Sequence, residues 1–306
     1  MIIAVFPGQG SQTPGFLSPW LELDGARERL EAYSEQAGVD LVAAGTEWDA
    51  DRIRDTSVAQ PLIVAASLLS WSALTASDAP RPAGVAGHSV GEIAALAASG
   101  VLDEADALRL VGLRGRAMAE AASAVETGMS AVVGGDEATV LERLEALGLT
   151  PANYNGGGQI VAAGELPALA ELAADAPRGT RVIALQVAGA FHTRFMEPAV
   201  EALRSAAADV SVSDPSTTLW TNSDGTTVDE GHRALDLVVA QVASPVRWDR
   251  CMASFAEQGV TGIIELSPAG ALTGLAKRAL RGTPTVAVKT PDDLDAAVSL
   301  LKEDQA

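Results

Sequence analysis

The sequence predicts an α/β fold: a largely parallel sheet flanked by helices, interrupted by a smaller antiparallel unit. Three observations carry this. Short apolar runs alternate with amphipathic helical stretches over most of the 306 residues, the order that builds parallel strands joined by crossing helices. From 128 to 187 the order changes to βαββαβ within about sixty residues, which fits a ferredoxin-like unit. Finally, Gly87-His88-Ser89-Val90-Gly91 stands between a strand-like run and an Ala-rich helix. That is the setting in which α/β-hydrolase sheets lift a serine above their edge. The expected organisation is therefore an α/β-hydrolase-like large domain, 1–127 and 188–306, with an inserted ferredoxin-like domain, 128–187.

In chain order, Met1-Ile2-Ile3-Ala4-Val5-Phe6 is an apolar first strand and lacks the basic flank of a signal peptide. It runs into Pro7-Gly8-Gln9-Gly10-Ser11-Gln12, where two glycines let the backbone around Gln9 approach a partner closely. No Lys-Ser/Thr follows, so this is not a P-loop. Helical patterns cover 21–38 and 60–76, with Pro61 expected in the first turn of the second. The elbow comes next. A helix over 103–123 then places Ala107, Val111, Met118 and Ala121 on one apolar stripe. Arg109, Arg116 and Glu120 fall on a solvated face, but Arg114 falls in the stripe. A cation facing a core is costly unless paired. Arg114 thus reads either as the partner of a structural Asp or as a socket for a substrate carboxylate.

The small unit is expected to hold strands at 129–134, 152–155, 159–164 and 181–187, with helices at 136–148 and 166–174. Beyond it, strands are expected at 218–221, 262–266 and 285–289, and helices at 234–243, 250–258, 272–280 and 292–301.

The net charge of −19 argues against nucleic acid and anionic membranes as partners. The longest apolar runs, such as 61–69, are too short to span a bilayer. Cys251 is the single cysteine, which excludes an internal disulfide framework and a cysteine metal cluster and points to the cytoplasm.

In the elbow, Ser89 is either a nucleophile with helix N–H groups behind it or merely a helix cap. A serine nucleophile needs a proton acceptor, usually histidine, and the chain has three. His88 adjoins Ser89, so its side chain should point away. His232 lies in a polar, solvated stretch. His192, in Ala188-Gly189-Ala190-Phe191-His192-Thr193, remains as the base. No acidic residue stands out to orient it, and a backbone carbonyl can serve instead. A serine esterase or thioesterase of the α/β-hydrolase type is the alternative. It would place its acid after the serine and its histidine late in the chain.

Several stretches together resemble the malonyl-CoA:acyl carrier protein transacylases. These are Phe6-Pro7-Gly8-Gln9-Gly10-Ser11-Gln12, Gln60-Pro61, Gly87-His88-Ser89-Val90-Gly91, Leu113-Arg114-Gly115-Arg116, Asn153-Tyr154-Asn155 and Gly189-Ala190-Phe191-His192. Gln241 with Ser244-Pro245-Val246-Arg247-Trp248, and Pro268-Ala269-Gly270-Ala271-Leu272-Thr273-Gly274-Leu275, extend the likeness over nearly the whole chain. The resemblance implies Ser89 as nucleophile, His192 as base and the Gln241 backbone carbonyl as its orienter. It implies the Gln9 and Val90 amides as oxyanion hole, Arg114 as partner of the malonyl carboxylate, and Gln60, Phe191 and Asn155 along the pocket. Phe191 before the histidine resembles the malonyl-selective type. Gly189, where modular synthases often carry His, resembles discrete fatty-acid enzymes. Malonyl-CoA would be the substrate, acyl carrier protein the partner, with no bound cofactor and no metal. Lys277, Arg278, Arg281 and Arg181, with Arg178 and Arg194, are the candidate basic patch for carrier docking.

Overall fold

The computed structural model describes residues 1–304, and among these nine strands form two sheets. In chain order they are β1 (Ile2–Phe6), β2 (Gly84–Gly87), β3 (Thr127–Gly134), β4 (Thr150–Gly156), β5 (Gln159–Glu165), β6 (Thr180–Ala184), β7 (Thr218–Trp220), β8 (Gly262–Glu265) and β9 (Thr285–Ala287). The first sheet has the order β7-β2-β1-β8-β9 and every neighbouring pair is parallel. The second, β4-β5-β3-β6, is antiparallel throughout.

The parallel sheet is buried on both faces, as parallel sheets must be when helices cross over them. Along β1, Ile2, Ala4 and Phe6 join the larger core, while Ile3 and Val5 join a second core with Trp220, Trp248 and Phe255. This is the period-2 alternation of a strand. The antiparallel sheet uses the same alternation differently. Val132, Ile160 and Ala162 pack under the helices Glu137–Ala146 and Leu166–Ala174, while Met129, Ala131 and Val161 belong to the main core. A bridge from Asn153 to Val246 ties the two sheets' surroundings together, with Tyr154 N–H donating to the Val246 carbonyl at 2.9 Å.

Several elements differ from expectation. The 21–38 pattern divides into a 3₁₀ turn, Ser18–Glu22, and a helix, Ala26–Ala37, because Gly25 turns left-handed (φ 74°) between them. Pro61 is not in the first turn: the helix begins at Thr56, capped by the Asp55 side chain on Ser57 N–H, and runs to Thr75 with Pro61 inside. The cap and the burial of this helix outweigh the single backbone bond that the proline removes. Thr56–Thr75 is also long and apolar enough to cross a membrane, contrary to the expectation from 61–69, yet 78% of its apolar window is buried inside the protein. Helices Leu41–Thr46, Ala50–Arg54 and Glu197–Ala207 were not foreseen.

Candidate active site

β2 ends at Gly87 and the helix Gly91–Ala98 starts four residues later. A Cβ on Gly87 would lie 2.0 Å from the Gly91 carbonyl carbon, and one on Gly91 2.2 Å from the Phe6 carbonyl oxygen. Both glycines are therefore steric requirements of the turn. Ser89 between them has φ 54°, a left-handed conformation that costs an L-residue about 1–2 kcal/mol. The Asn222 side chain anchors the turn, accepting from Ser89 N–H at 2.8 Å and donating to the Gly87 carbonyl at 2.7 Å.

His192 is the other non-glycine residue with positive φ among those described, at 61°. Its Nε2 lies 2.7 Å from Ser89 Oγ, and its Nδ1 lies 2.8 Å from the Gln241 backbone oxygen. The carbonyl can only accept, so Nδ1 carries the proton and Nε2 is free to accept from the serine. Burial, and then the Arg114 charge, push the imidazole down to about 3, so it stays neutral at physiological pH. His88 points elsewhere: its Nε2–H donates to Asn155 Oδ1 at 2.9 Å.

Arg114 is 1% exposed. It meets no Asp. Its Nη1 donates to Gln60 Oε1 at 2.6 Å and its Nη2 to Gln241 Oε1 at 2.9 Å, while Nε has no partner. Two neutral amide oxygens thus occupy the positions that carboxylate oxygens would take on the guanidinium fork. Burial lowers its pKa to about 10, opposed by the charge of Glu92.

A cavity of about 420 Å³ lies between the elbow and the inner face of the antiparallel sheet. Gln9, Gln60, Ser89, Val90, Asn155, Phe191 and His192 all line it. Arg114 and Gln241 lie one layer behind, joined to the lining through Gln60 and His192. Among the described residues, the Gln9 and Val90 amides donate to no other protein group. Arg278 lines the mouth and packs on Gly157, whereas Lys277, Arg281 and Arg181 are exposed outside it. Arg181 sits opposite Val133, itself opposite the lining residue Gln159. Arg178 is exposed and Arg194 stacks on Phe195; neither lines the cavity.

Sequence reasoning missed two members of this cluster and half of a third. Asn222 gave no signal, lying in a polar turn. Glu92 read as a carboxylate at a helix N-terminus, but it is 3% exposed and accepts from Asn222 N–H at 2.8 Å and from the Gln241 side chain. Burial pushes its carboxyl up to about 7 against those bonds. Gln241 was expected to act through its backbone alone, yet its side chain also bonds Arg114.

The acyl transferase domain family matches residues 3–303. A curated relative from Mycobacterium bovis, "Malonyl CoA-acyl carrier protein transacylase", is 53% identical over 302 residues, covering 98% of this chain and all of its own length. The crystal structure of MCAT from Mycobacterium tuberculosis superposes with a TM-score of 0.93 at 52% identity, over 97% of this chain and 100% of that one. A type II PKS acyl-carrier protein in complex with its malonyl-transacylase contains a chain that superposes with a TM-score of 0.91 at 30% identity, over 98% and 99% of the two chains. A match running through both sheets and every residue of the cavity makes this chain a member of the acyl transferase domain family.

Proposed function

We propose that the chain transfers the malonyl group of malonyl-CoA to the phosphopantetheine thiol of an acyl carrier protein, through a malonyl ester on Ser89. One observation carries the reading: Ser89 Oγ, His192 Nε2 and the Gln241 carbonyl form a continuous relay beside a buried guanidinium held only by neutral amide oxygens. In this reading Ser89 Oγ attacks the thioester carbonyl carbon while His192 Nε2 takes its proton. The Gln9 and Val90 amides receive the charge that develops on the carbonyl oxygen. The intermediate collapses, and CoA leaves as the thiol with the proton returned by His192. The carrier thiol then attacks the ester by the same route in reverse, giving ping-pong kinetics. Arg114 takes the malonyl carboxylate as Gln60 gives way. Asn155 and Phe191 shape the walls, Asn155 by holding His88 aside.

The names of the relatives support the substrate and the partner, in fatty-acid synthesis or, as with the carrier in the related complex, polyketide synthesis. The single cysteine, buried and free, supports a cytoplasmic setting. We read the parallel sheet as α/β-hydrolase-like and residues 128–187 as a ferredoxin-like inserted domain, with 1–127 and 188–306 as the large one. The order β4-β5-β3-β6 supports the second of these. The esterase alternative loses ground because a carbonyl, not an acid, orients His192.

Intact mass of the protein after malonyl-CoA, and again after acetyl-CoA, tests the proposal. A stoichiometric malonyl adduct on Ser89 that a carrier protein removes is expected, with little acetylation. Arg114→Ala should reverse that preference by about 10²-fold or more, since acetyl brings no counter-charge to the buried cation and malonyl does. No adduct, or sustained hydrolysis without an acceptor thiol, would overturn the reading.

A further inference from the structure

Of the buried carboxylates, Glu92 is the one that lies against the relay, and the proposed transfer gives it no task. Glu92 Oε1 accepts from Asn222 N–H at 2.8 Å, and Oε2 accepts from Gln241 Nε2. Gln241 in turn touches every part of the relay. Its backbone oxygen holds His192 Nδ1, its Oε1 holds Arg114 Nη2 at 2.9 Å, and its Nε2 also reaches the Ser89 carbonyl at 3.1 Å. A primary amide has nearly the same shape either way round, so its orientation is set by its partners. Arg114 donates to Oε1, while the Ser89 carbonyl, Asn222 Oδ1 and Glu92 accept from Nε2, and Glu92 is the one charged acceptor among them. The reverse orientation would set –NH₂ against the guanidinium, donor against donor. Glu92, an acceptor on both oxygens when ionised, is the only carboxylate among the described residues that bonds this amide.

We propose that Glu92 is a positioning residue: its carboxylate fixes the polarity of the Gln241 side chain, so that one residue holds the Arg114 guanidinium and the His192 imidazole in a single frame around Ser89. The effect on substrate choice rests on the malonyl-transfer reading.

Glu92→Gln keeps the shape and breaks this polarity. Whichever way the new amide turns, its –NH₂ faces either Asn222 N–H or Gln241 Nε2, and flipping Gln241 only moves the conflict to Arg114. Glu92→Gln combined with Gln241→Glu restores a donor against an acceptor toward Asn222 N–H, between the two side chains and toward Arg114. It leaves the Ser89 carbonyl and Asn222 Oδ1 without the donor that Gln241 Nε2 supplies, and it places a carboxylate on Arg114 in competition with the malonyl group.

Rates of Ser89 acylation by malonyl-CoA and acetyl-CoA are measured for wild type and both variants. The measurement is made at about pH 8, above the value of about 7 for Glu92. Glu92→Gln is expected to slow acetylation about 10-fold and malonylation about 100-fold, the size of effect expected from leaving a buried donor unpaired. The double variant is expected to regain part of the acetylation rate, since the Ser89 carbonyl still lacks its donor, and little of the malonylation rate. If Glu92→Gln slows both substrates equally, or the double variant regains neither while melting like wild type, the proposal falls. If wild type itself forms no malonyl ester, the functional reading falls instead.

Discussion

His192 is 3% exposed, with one ring nitrogen toward Ser89 and the other toward a carbonyl; the carbonyl favours the protonated ring, but burial and the Arg114 charge outweigh it. Its pKa falls to about 3 in the fold, against about 6.5 in an unfolded chain. Between those values the unfolded chain binds a proton that the folded one refuses. The stability present above about pH 6.5 is therefore lost as pH falls toward 3, by up to about 1.4 kcal/mol per pH unit. Glu92 has the opposite sign: raised to about 7, its contribution is present at low pH and lost as pH rises through that value. Comparing wild type with His192→Gln cancels Glu92 and isolates the imidazole. Between about pH 6.5 and 5, urea denaturation should show wild type losing about 2 kcal/mol more than the variant. Equal losses would mean that the imidazole takes up its proton in the fold as readily as in water. Such an imidazole would not be the buried, neutral base on which the proposed acylation depends.

The helix Glu104–Ser123 aims Arg114, and its own placement depends on two glycines. A Cβ at Gly112 would lie 2.3 Å from the Ala37 carbonyl oxygen, and one at Gly115 2.9 Å from that of Thr56. The helix thus lies against the backbones of Ala26–Ala37 and Thr56–Thr75, with no side chain between. Gly112→Ala must push it outward, since backbone cannot yield as a side-chain tip can. We expect a loss of about 1–3 kcal/mol in thermal or urea unfolding, with a fall in malonyl over acetyl preference as Arg114 shifts against Gln60 and Gln241. Unchanged preference in a destabilised variant would show that the guanidinium is fixed by its amide partners alone. The helix itself was legible because its apolar stripe and the misfit cation are local signals; the Asp103 side-chain cap on Asp106 N–H came only with the structure. The elbow and His192 were legible for related reasons, a fixed spacing in one case and elimination among three histidines in the other. Glu92, Asn222 and the side chain of Gln241 were not. Their roles exist only because segments more than a hundred residues apart converge under the elbow, and each is an ordinary polar residue in its own neighbourhood. Pro61 misled for a different reason: a strong preference for first turns gave way to a cap six residues upstream and to burial.

At the scale of the whole molecule, the charge of −19 opposes any acidic partner, so a carrier protein of that kind needs a local basic surface beside the cavity. The surface we propose for it lies at one end of the antiparallel sheet. Arg278 lies at the mouth against Gly157, on the turn joining β4 to β5, and Lys277 precedes it on the same helix. Arg181 shares a cross-strand row with Val133 and Gln159, and Gln159 is part of the cavity wall. A phosphopantetheine arm entering there would pass between the sheet face and the helix Ala271–Ala279 to reach Ser89. Arg278 is close enough to the opening to meet CoA as well as the carrier, so it does not separate the two partners. Lys277, Arg281 and Arg181 stand outside the lining and do. Reversing their charges to Glu should raise the KM for carrier protein roughly tenfold and flatten its dependence on salt, as rim charges govern encounter more than chemistry. Malonylation of Ser89 by malonyl-CoA should keep its rate in the same variant, because none of the three reaches the cavity. An equal loss in both half-reactions would assign the patch to the phosphates of CoA. No loss in either would move the carrier to the other side of the opening, where Gly8, Gln9 and Ser11 line the cavity.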